Sequence, residues 1–282
     1  MLIDTHAHVN FAAFKEDAEP TIKRALDAGV NMVLVGSQID TSKEAVEMAN
    51  KFDSGVYAAI GIHPVHTYSQ ELDEEESHFM TRQEEFNYEV YKALVQNPKV
   101  VGIGECGLDY YRLPKDGDHK AIKETQAKNF IAQINFAKEF NKTLIIHSRS
   151  SKGTDDACLD ILDILKKEGV ENLRFVLHSY TGSPEVAKMF VELGGYVSFN
   201  GIITFDKTGN QEAVLKVVPD HRIVLETDCP YLTPNPHRGK RNEPSYVQHV
   251  AEFVARLKST SLEEVSSLTS SNARKLFLLT GM

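Results

Sequence analysis

Residues 100–111 read VVGIGECGLDYY, and the fold turns on how this stretch is interpreted. Gly102, Gly104 and Gly107 have the spacing of a phosphate-cradling loop, which would make the chain a doubly wound open sheet. Such a loop opens directly into a helix. Here the glycines lead instead into a tyrosine-rich segment, DYYRLPK, and no other early strand is followed by a glycine-rich turn. The stretch is therefore expected to be a buried strand, with Glu105 as a carboxylate near its C-terminal end.

Seven further apolar, β-branched runs flank it: LIDTHAHV (2–9), NMVLVGS (31–37), VYAAIGIHP (56–64), TLIIHS (143–148), RFVLHSY (174–180), YVSFNG (196–201) and IVLETD (223–228). Segments with helical periodicity lie between them, including KEAVEMANKF, AKNFIAQINFAKEF and CLDILDILKKEG. Strict alternation of strand and helix implies parallel strands joined by right-handed crossovers. Eight such units in about 250 residues predict a closed (β/α)8 TIM barrel, an α/β fold. Nothing resembles a linker, so residues 1–282 are expected to form a single domain, with two closing helices after residue 244.

Composition narrows the function. A hydrophobic share of 41% with 25% charged residues describes a soluble globular chain that can bury a large core. No apolar stretch approaches the roughly 20 residues of a membrane span, and the N-terminus lacks the basic region of a signal peptide. Three scattered cysteines, Cys106, Cys158 and Cys229, cannot build a disulfide framework, so reduced thiols in a cytoplasmic, or nuclear, compartment are expected. A net charge of −9 argues against a nucleic-acid coat protein but not against an enzyme with a local basic rim. The acidic run ELDEEES (71–77) reads as a solvated loop or helix face.

Polar residues interrupt the apolar runs at equivalent places. His6 and His8 close the first run, His63 the third, Glu105 the fourth, His147 the fifth, His178 the sixth and Asp228 the eighth. In a closed barrel all seven would meet on the rim where catalytic groups sit. Each buried imidazole nitrogen needs a partner, and valine would have filled those positions at no such cost. Four histidines and two acids (His6, His8, His147, His178, Glu105 and Asp228) exceed the needs of one tetrahedral ion. They suit two divalent ions about 3.5–4 Å apart, with Glu105 as the shared ligand. Such donors favour Zn, Mn, Fe, Co or Ni over Ca; Zn, Mn or Mg is the expected cofactor. Cys106 and Cys229 alternate away from their acidic neighbours and, like Cys158, are expected to pack.

The loops beyond these residues carry aromatic rings among cations: Asp109, Tyr110, Tyr111, Arg112 and Lys115, then Arg149 and Lys152, then Arg238, Lys240 and Arg241. Rings that stack bases and cations that hold phosphates point to an anionic substrate. Tyr110, Tyr111, Arg112, Arg149 and Arg238 are the expected contacts.

The motifs DTHAH, GIHP, GIGECGLDYY, IIHSR, LHSYTG, SFNGIITF, ETDCPYLTP and RGKRNEP occur in order, with a closing NARKLF. Over essentially its whole length the chain resembles the TatD-type deoxyribonucleases, metal-dependent hydrolases of the amidohydrolase superfamily. The resemblance implies that His6, His8, Glu105 and Asp228 hold one ion and that Glu105, His147 and His178 hold the other. It also implies 3′-to-5′ exonucleolytic cleavage of DNA that is single-stranded or has accessible 3′ ends, with abasic sites or RNA as further substrates. Many related barrels bridge their metals with a carboxylated lysine; the fourth strand here has no lysine, so Glu105 must serve. Two places depart from the family pattern. HPVHT inserts Val65 and displaces His66, and the loop SRSSKGTDDA after His147 is longer than the usual Arg-Asp-Ala connection.

Metal-assisted hydrolysis is therefore expected, with Glu105, Asp228 and His63 as the catalytic set. Asp228 would accept the proton of the attacking water. His63 would either position a phosphate oxygen or act as a structural histidine before Pro64. No membrane and no obligate protein partner are expected. Hydrolysis of another ester or an amide, including an aminoacyl-tRNA, is the rival chemistry, and a metal-binding scaffold without activity is the rival class.

Overall fold

Each of the eight apolar runs forms a strand, and in chain order the strands alternate with helices as the periodicity requires. The structure is a computed structural model describing residues 1–68, 71–74, 77–80 and 83–279. Its elements begin β1 (Leu2–Ala7), α1 (Ala18–Asp27), β2 (Val30–Val35), α2 (Ile39–Asn50), β3 (Val56–Ile60), β4 (Glu71–Glu74), β5 (Ser77–Met80), α3 (Tyr88–Val95) and β6 (Val100–Asp109). They continue α4 (His119–Glu139), β7 (Thr143–Arg149), α5 (Asp156–Glu168), β8 (Phe175–His178), α6 (Pro184–Glu192), β9 (Tyr196–Phe199), α7 (Asn210–Val217) and β10 (Ile223–Leu225). The tail supplies α8 (Val247–Lys258) and α9 (Leu262–Phe277).

The main sheet runs β1-β2-β3-β6-β7-β8-β9-β10, with every neighbouring pair parallel. It closes on itself just beyond β10. Asp228 N–H donates to the His6 carbonyl at 2.9 Å, His8 N–H to the Cys229 carbonyl at 2.8 Å, and Ala7 bridges Cys229 in parallel register. Thr5 Oγ1 adds a 3.0 Å bond to the Leu225 carbonyl. The fold is a (β/α)8 TIM barrel.

Alternation divides the core in two. Inward-facing Ile3, Val33, Val35, Ala59, Ile145, Val176 and Val224 fill the barrel, and Ala273, Leu276 and Phe277 of α9 close its floor. The outward face, with residues such as Leu34, Ile60, Leu144, Leu177 and Leu225, packs against the surrounding helices. Among the described residues no helix is long and apolar enough to cross a membrane.

Two expectations are corrected. The acidic run 71–77 is neither loop nor helix where described: Glu71–Glu74 pairs antiparallel with Ser77–Met80 as a hairpin, with Glu75 and Glu76 outside the described residues. Strand extents also differ. β6 continues four residues past Glu105 to Asp109, held by pairing with β7, whereas β10 stops at Leu225 and Asp228 follows in a left-handed conformation, φ +58°.

Candidate metal centre

Simple alternation would not aim all the polar residues inward. On β1, Ile3 faces the barrel interior, so an unbroken strand would turn residues 6 and 8 toward the helices. The register with β2 slips between Asp4 and Ala7, and this irregularity brings His6 and His8 to the inside. β6 repeats the device: its register slips between Ile103 and Cys106, both packed outward, and Glu105 turns in between them. Beyond the slip, Asp109 faces inward and Tyr110 outward. Two buried glutamines of α4 fix the strand ends. Gln126 exchanges bonds with the Asp109 backbone at 3.0 Å in both directions, and Gln133 holds Ile62 N–H at 2.8 Å and its carbonyl at 3.1 Å, next to His63.

The seven residues, carried on or just beyond six strands, come together with Glu105, 4% exposed, at the centre. Its Oε1 lies 2.7 Å from His147 Nδ1, 3.3 Å from His63 Nε2 and 3.4 Å from His178 Nε2. Its Oε2 lies 3.3 Å from His6 Nε2 and 3.7 Å from His8 Nε2. Asp228 Oδ1 is 3.4 Å from His8 Nε2 and 3.9 Å from both His6 and His178. The two carboxylate oxygens of Glu105 thus face different sets of imidazoles.

The donor chemistry fits divalent cations. His6 Nε2 stands 3.0 Å from His8 Nε2, with Glu105 and Asp228 also in reach, yet a neutral ring nitrogen can satisfy only one of these acceptors. Nitrogens bound tetrahedrally to one ion at about 2.05 Å would lie about 3.3 Å apart, and the 3.0 Å between these two falls within a few tenths of an ångström of that spacing. His6, His8 and Asp228 form one triad able to hold a cation, and Glu105, His147 and His178 another.

Charge is arranged accordingly. Burial alone would raise the Glu105 carboxyl, but His63, His178 and bonds from His147 and His6 outweigh it and hold the group well below the usual carboxylate range. Burial likewise works against Asp228, and His178, His8 and His6 bring it down. Burial opposes charge on His178, but Glu226, Glu105 and Asp228 push it up to about 10. His63 goes the other way: burial and the neighbouring His147 lower it to about 3.

Three acids behind the cluster orient it. Glu226, 1% exposed, places Oε1 3.0 Å from His178 Nδ1 and is fixed by Ser179 N–H at 2.8 Å and Asn200 at 3.2 Å. Asp109 Oδ2 takes His147 Nε2 at 3.0 Å. Asp4 accepts from Thr227 N–H and Oγ1 at 2.9 and 2.6 Å and from His6 N–H at 3.2 Å, tying β1 to the segment that carries Asp228. Sequence reasoning missed Glu226, although it stands in the same run two residues before Asp228; Asp109 was read only as a rim residue.

The rim residues do not all arrive where expected. Tyr110 does not face the rim. Strand alternation sends it outward, where its hydroxyl donates to Asp160 of α5 at 2.7 Å and Lys123 of α4 sits 3.6 Å over its ring. Tyr111 is exposed, with the Arg149 guanidinium 4.3 Å over its ring. Arg112 folds back on Asp109, its backbone N–H donating at 2.9 Å and Nη1 at 3.4 Å. Arg238 bonds the Thr233 carbonyl at 3.0 Å and lies 4.0 Å over Phe205. Cys106, Cys158 and Cys229 are free and buried.

The family model described as TatD related DNase matches residues 3–278. The metal-dependent hydrolase YabD of Bacillus subtilis (strain 168) is 42% identical over 278 residues, covering 98% of this chain and 99% of its own. TATDN3 of Mus musculus, named as a candidate deoxyribonuclease, is 31% identical over 279 residues, covering 98% of this chain and 88% of its own. The crystal structure of YJJV, a TatD homologue from Escherichia coli K12, superimposes with a TM-score of 0.79 at 26% identity, covering 99% of this chain and 98% of that one.

Proposed function

The chain belongs to the TatD family of metal-dependent hydrolases, and from that premise we propose that it cleaves phosphodiester bonds of DNA, working from accessible 3′ ends of single strands. The observation that carries the reading is the division of Glu105 between two sets of imidazoles. His6, His8, Glu105 and Asp228 would hold one divalent ion, and Glu105, His147 and His178 a second, with Zn, Mn or Mg as the candidates. Bound there, the ions supply Lewis acidity toward a phosphate oxygen and acidify the attacking water.

The remaining roles follow from the side chains. Asp228 stays ionised and is the more exposed of the two acids, 14% against 5% for Glu105, so it takes the proton of the water. His63 is neutral, and its Nδ1 accepts Val65 N–H at 3.1 Å, leaving the proton on Nε2, 3.3 Å from Glu105 Oε1 and 3.1 Å from His147 Nδ1. From there it donates to a phosphate oxygen without adding charge. Glu226 and Asp109 lock the ring orientations of His178 and His147. Arg112, Arg149, Tyr111 and Arg238 line the approach of the nucleic acid, and Tyr110 is left out of that set.

Residues 1–282 act as one catalytic unit without an obligate partner. Three free, buried thiols suit the reducing cytoplasm. The decisive experiment is a panel of oligonucleotides labelled at the 5′ or 3′ end, incubated with a series of divalent ions. Stepwise loss from the 3′ end is expected. Intact oligonucleotides alongside cleaved aminoacyl esters would overturn the nuclease reading in favour of carbonyl hydrolysis.

A further inference from the structure

Apart from the Glu105 cluster, two more imidazoles face each other. His237 lies in the segment between β10 and α8, and His249 lies in the first turn of α8. Their Nε2 atoms are 3.1 Å apart, with ring centroids at 4.8 Å and planes inclined by 48°.

Each ring is fixed by a partner of its own. Glu252, three residues on along the same helix face, accepts the Nδ1 proton of His249 at 3.1 Å through Oε2, and its Oε1 is held by Gln248 Nε2 at 3.1 Å. With its proton on Nδ1, the neutral His249 ring carries its lone pair on Nε2, toward His237. The His237 ring is stacked on Tyr246, centroids 4.4 Å apart and planes within 11°. The His237 N–H donates to the Pro234 carbonyl at 2.8 Å, and its carbonyl accepts Lys240 N–H at 3.1 Å, so tight turns hold the backbone on both sides. Partial burial, His249 and Lys240 keep His237 below its ordinary value against the pull of Glu243, so this ring is neutral at neutral pH.

A carboxylate that sets the tautomer of one imidazole and aims its free nitrogen at a second is the device that stands behind metal-bound histidines. Two nitrogens bound to one ion at about 2.05 Å lie about 2.9 Å apart at a right angle and about 3.3 Å apart at the tetrahedral angle. The observed separation falls between the two. The side chains of His249 and Glu252 are 26% and 35% exposed, so water can complete the coordination shell. We propose that His237 and His249 form a further divalent-cation site, for zinc or another late first-row ion, with Glu252 as the orienting acid. The ion replaces the proton that His237 Nε2 otherwise donates to His249 Nε2. That proton moves to His237 Nδ1, and both rings stay neutral. Bound there, the ion clips the segment that carries Arg238 to α8. The site shares no residue with the Glu105 cluster and does not depend on the phosphodiester reading.

The test dialyses tag-free protein against zinc at micromolar free concentration and counts the bound metal. Wild type should hold one ion more than His237→Ala and one more than His249→Ala, with circular dichroism showing that both variants are folded. Glu252→Gln should keep the site but weaken it by about 10–100-fold. In protein carrying isotope-labelled histidine, zinc should shift the Nε2 resonances of His237 and His249 together, at one zinc concentration. Equal ion counts in wild type and both histidine variants, or a site that survives the loss of either ring alone, would overturn the proposal and leave a plain hydrogen bond between the rings. Unchanged affinity in Glu252→Gln would overturn it too, because the tautomer that aims His249 Nε2 would no longer matter.

Discussion

Replacing Glu105 with Gln keeps the shape of the side chain but lets only one of its two ends act as a ligand. In the wild type, Oε1 faces His147, His63 and His178 while Oε2 faces His6 and His8. An amide offers its oxygen to one set and turns an NH₂ on the other, so at most one ion can be held well. At a free metal concentration of about 100 Kd, each ion adds about 2.7 kcal/mol to the stability of the folded state. For 282 residues the unfolding entropy is about 0.6 kcal/mol/K, so each ion should raise the melting temperature by about 5 °C. Two ions give about 9 °C in the wild type; Glu105→Gln should show no more than about 5 °C. Metal analysis of the dialysed proteins should read two ions falling to one or none. Hydrolysis should drop by more than the roughly 10–100-fold lost when an outer partner of a ligand is changed. A Gln variant that retains two ions and the full thermal shift would show that Glu105 is not shared, and the two-ion reading would go with it.

Glu226→Gln removes the charge behind His178 without touching a ligand atom; zinc affinity measured by titration calorimetry should fall by about 10–100-fold, and unchanged affinity would deny Glu226 its orienting role. The salt bridges from Arg24 to Glu243 at 2.7 Å and from Arg241 to Asp17 at 2.6 Å tie α1 to the loop after Asp228. Burial would raise Glu243, but Arg24, Ser245 and Arg241 hold it below its ordinary value. A depressed carboxyl stabilises the fold fully above its unfolded pKa of about 4.3 and loses that contribution as pH falls through the folded value. Glu243→Gln should therefore melt lower than wild type at pH 7, by about 1 kcal/mol or less for a pair this exposed, and the gap should close as pH falls through the folded-state value. A gap that is independent of pH would assign the loss to packing.

Much of the fold and of the cluster was legible in the chain, and the reasons are local. Eight apolar runs with helical segments between them admit few arrangements, and polar residues at the same end of each run have somewhere to meet only if the sheet closes. The segment after Gly107, DYYRLPK, argued against a nucleotide loop because the glycines do not lead directly into the helix such a loop requires. The acidic run at residues 71–74 misled because charge marks solvent contact without saying which backbone carries it, and antiparallel pairing with residues 77–80 made it a strand. Tyr110 misled because an aromatic next to Asp109 reads as rim until the end of β6 is known.

The order of the elements, the choice of six candidate ligands and the chemistry they share follow from residue types and spacing, which depend only on near neighbours along the chain. Only the tertiary structure decided which way those side chains point. The register slips in β1 and β6 reverse the inward and outward faces, and a slip is set by the partner strand, which no local pattern encodes. The same holds for Glu226, Asp109 and Asp4, whose roles exist only because folding brings them within hydrogen-bonding distance of groups from other strands.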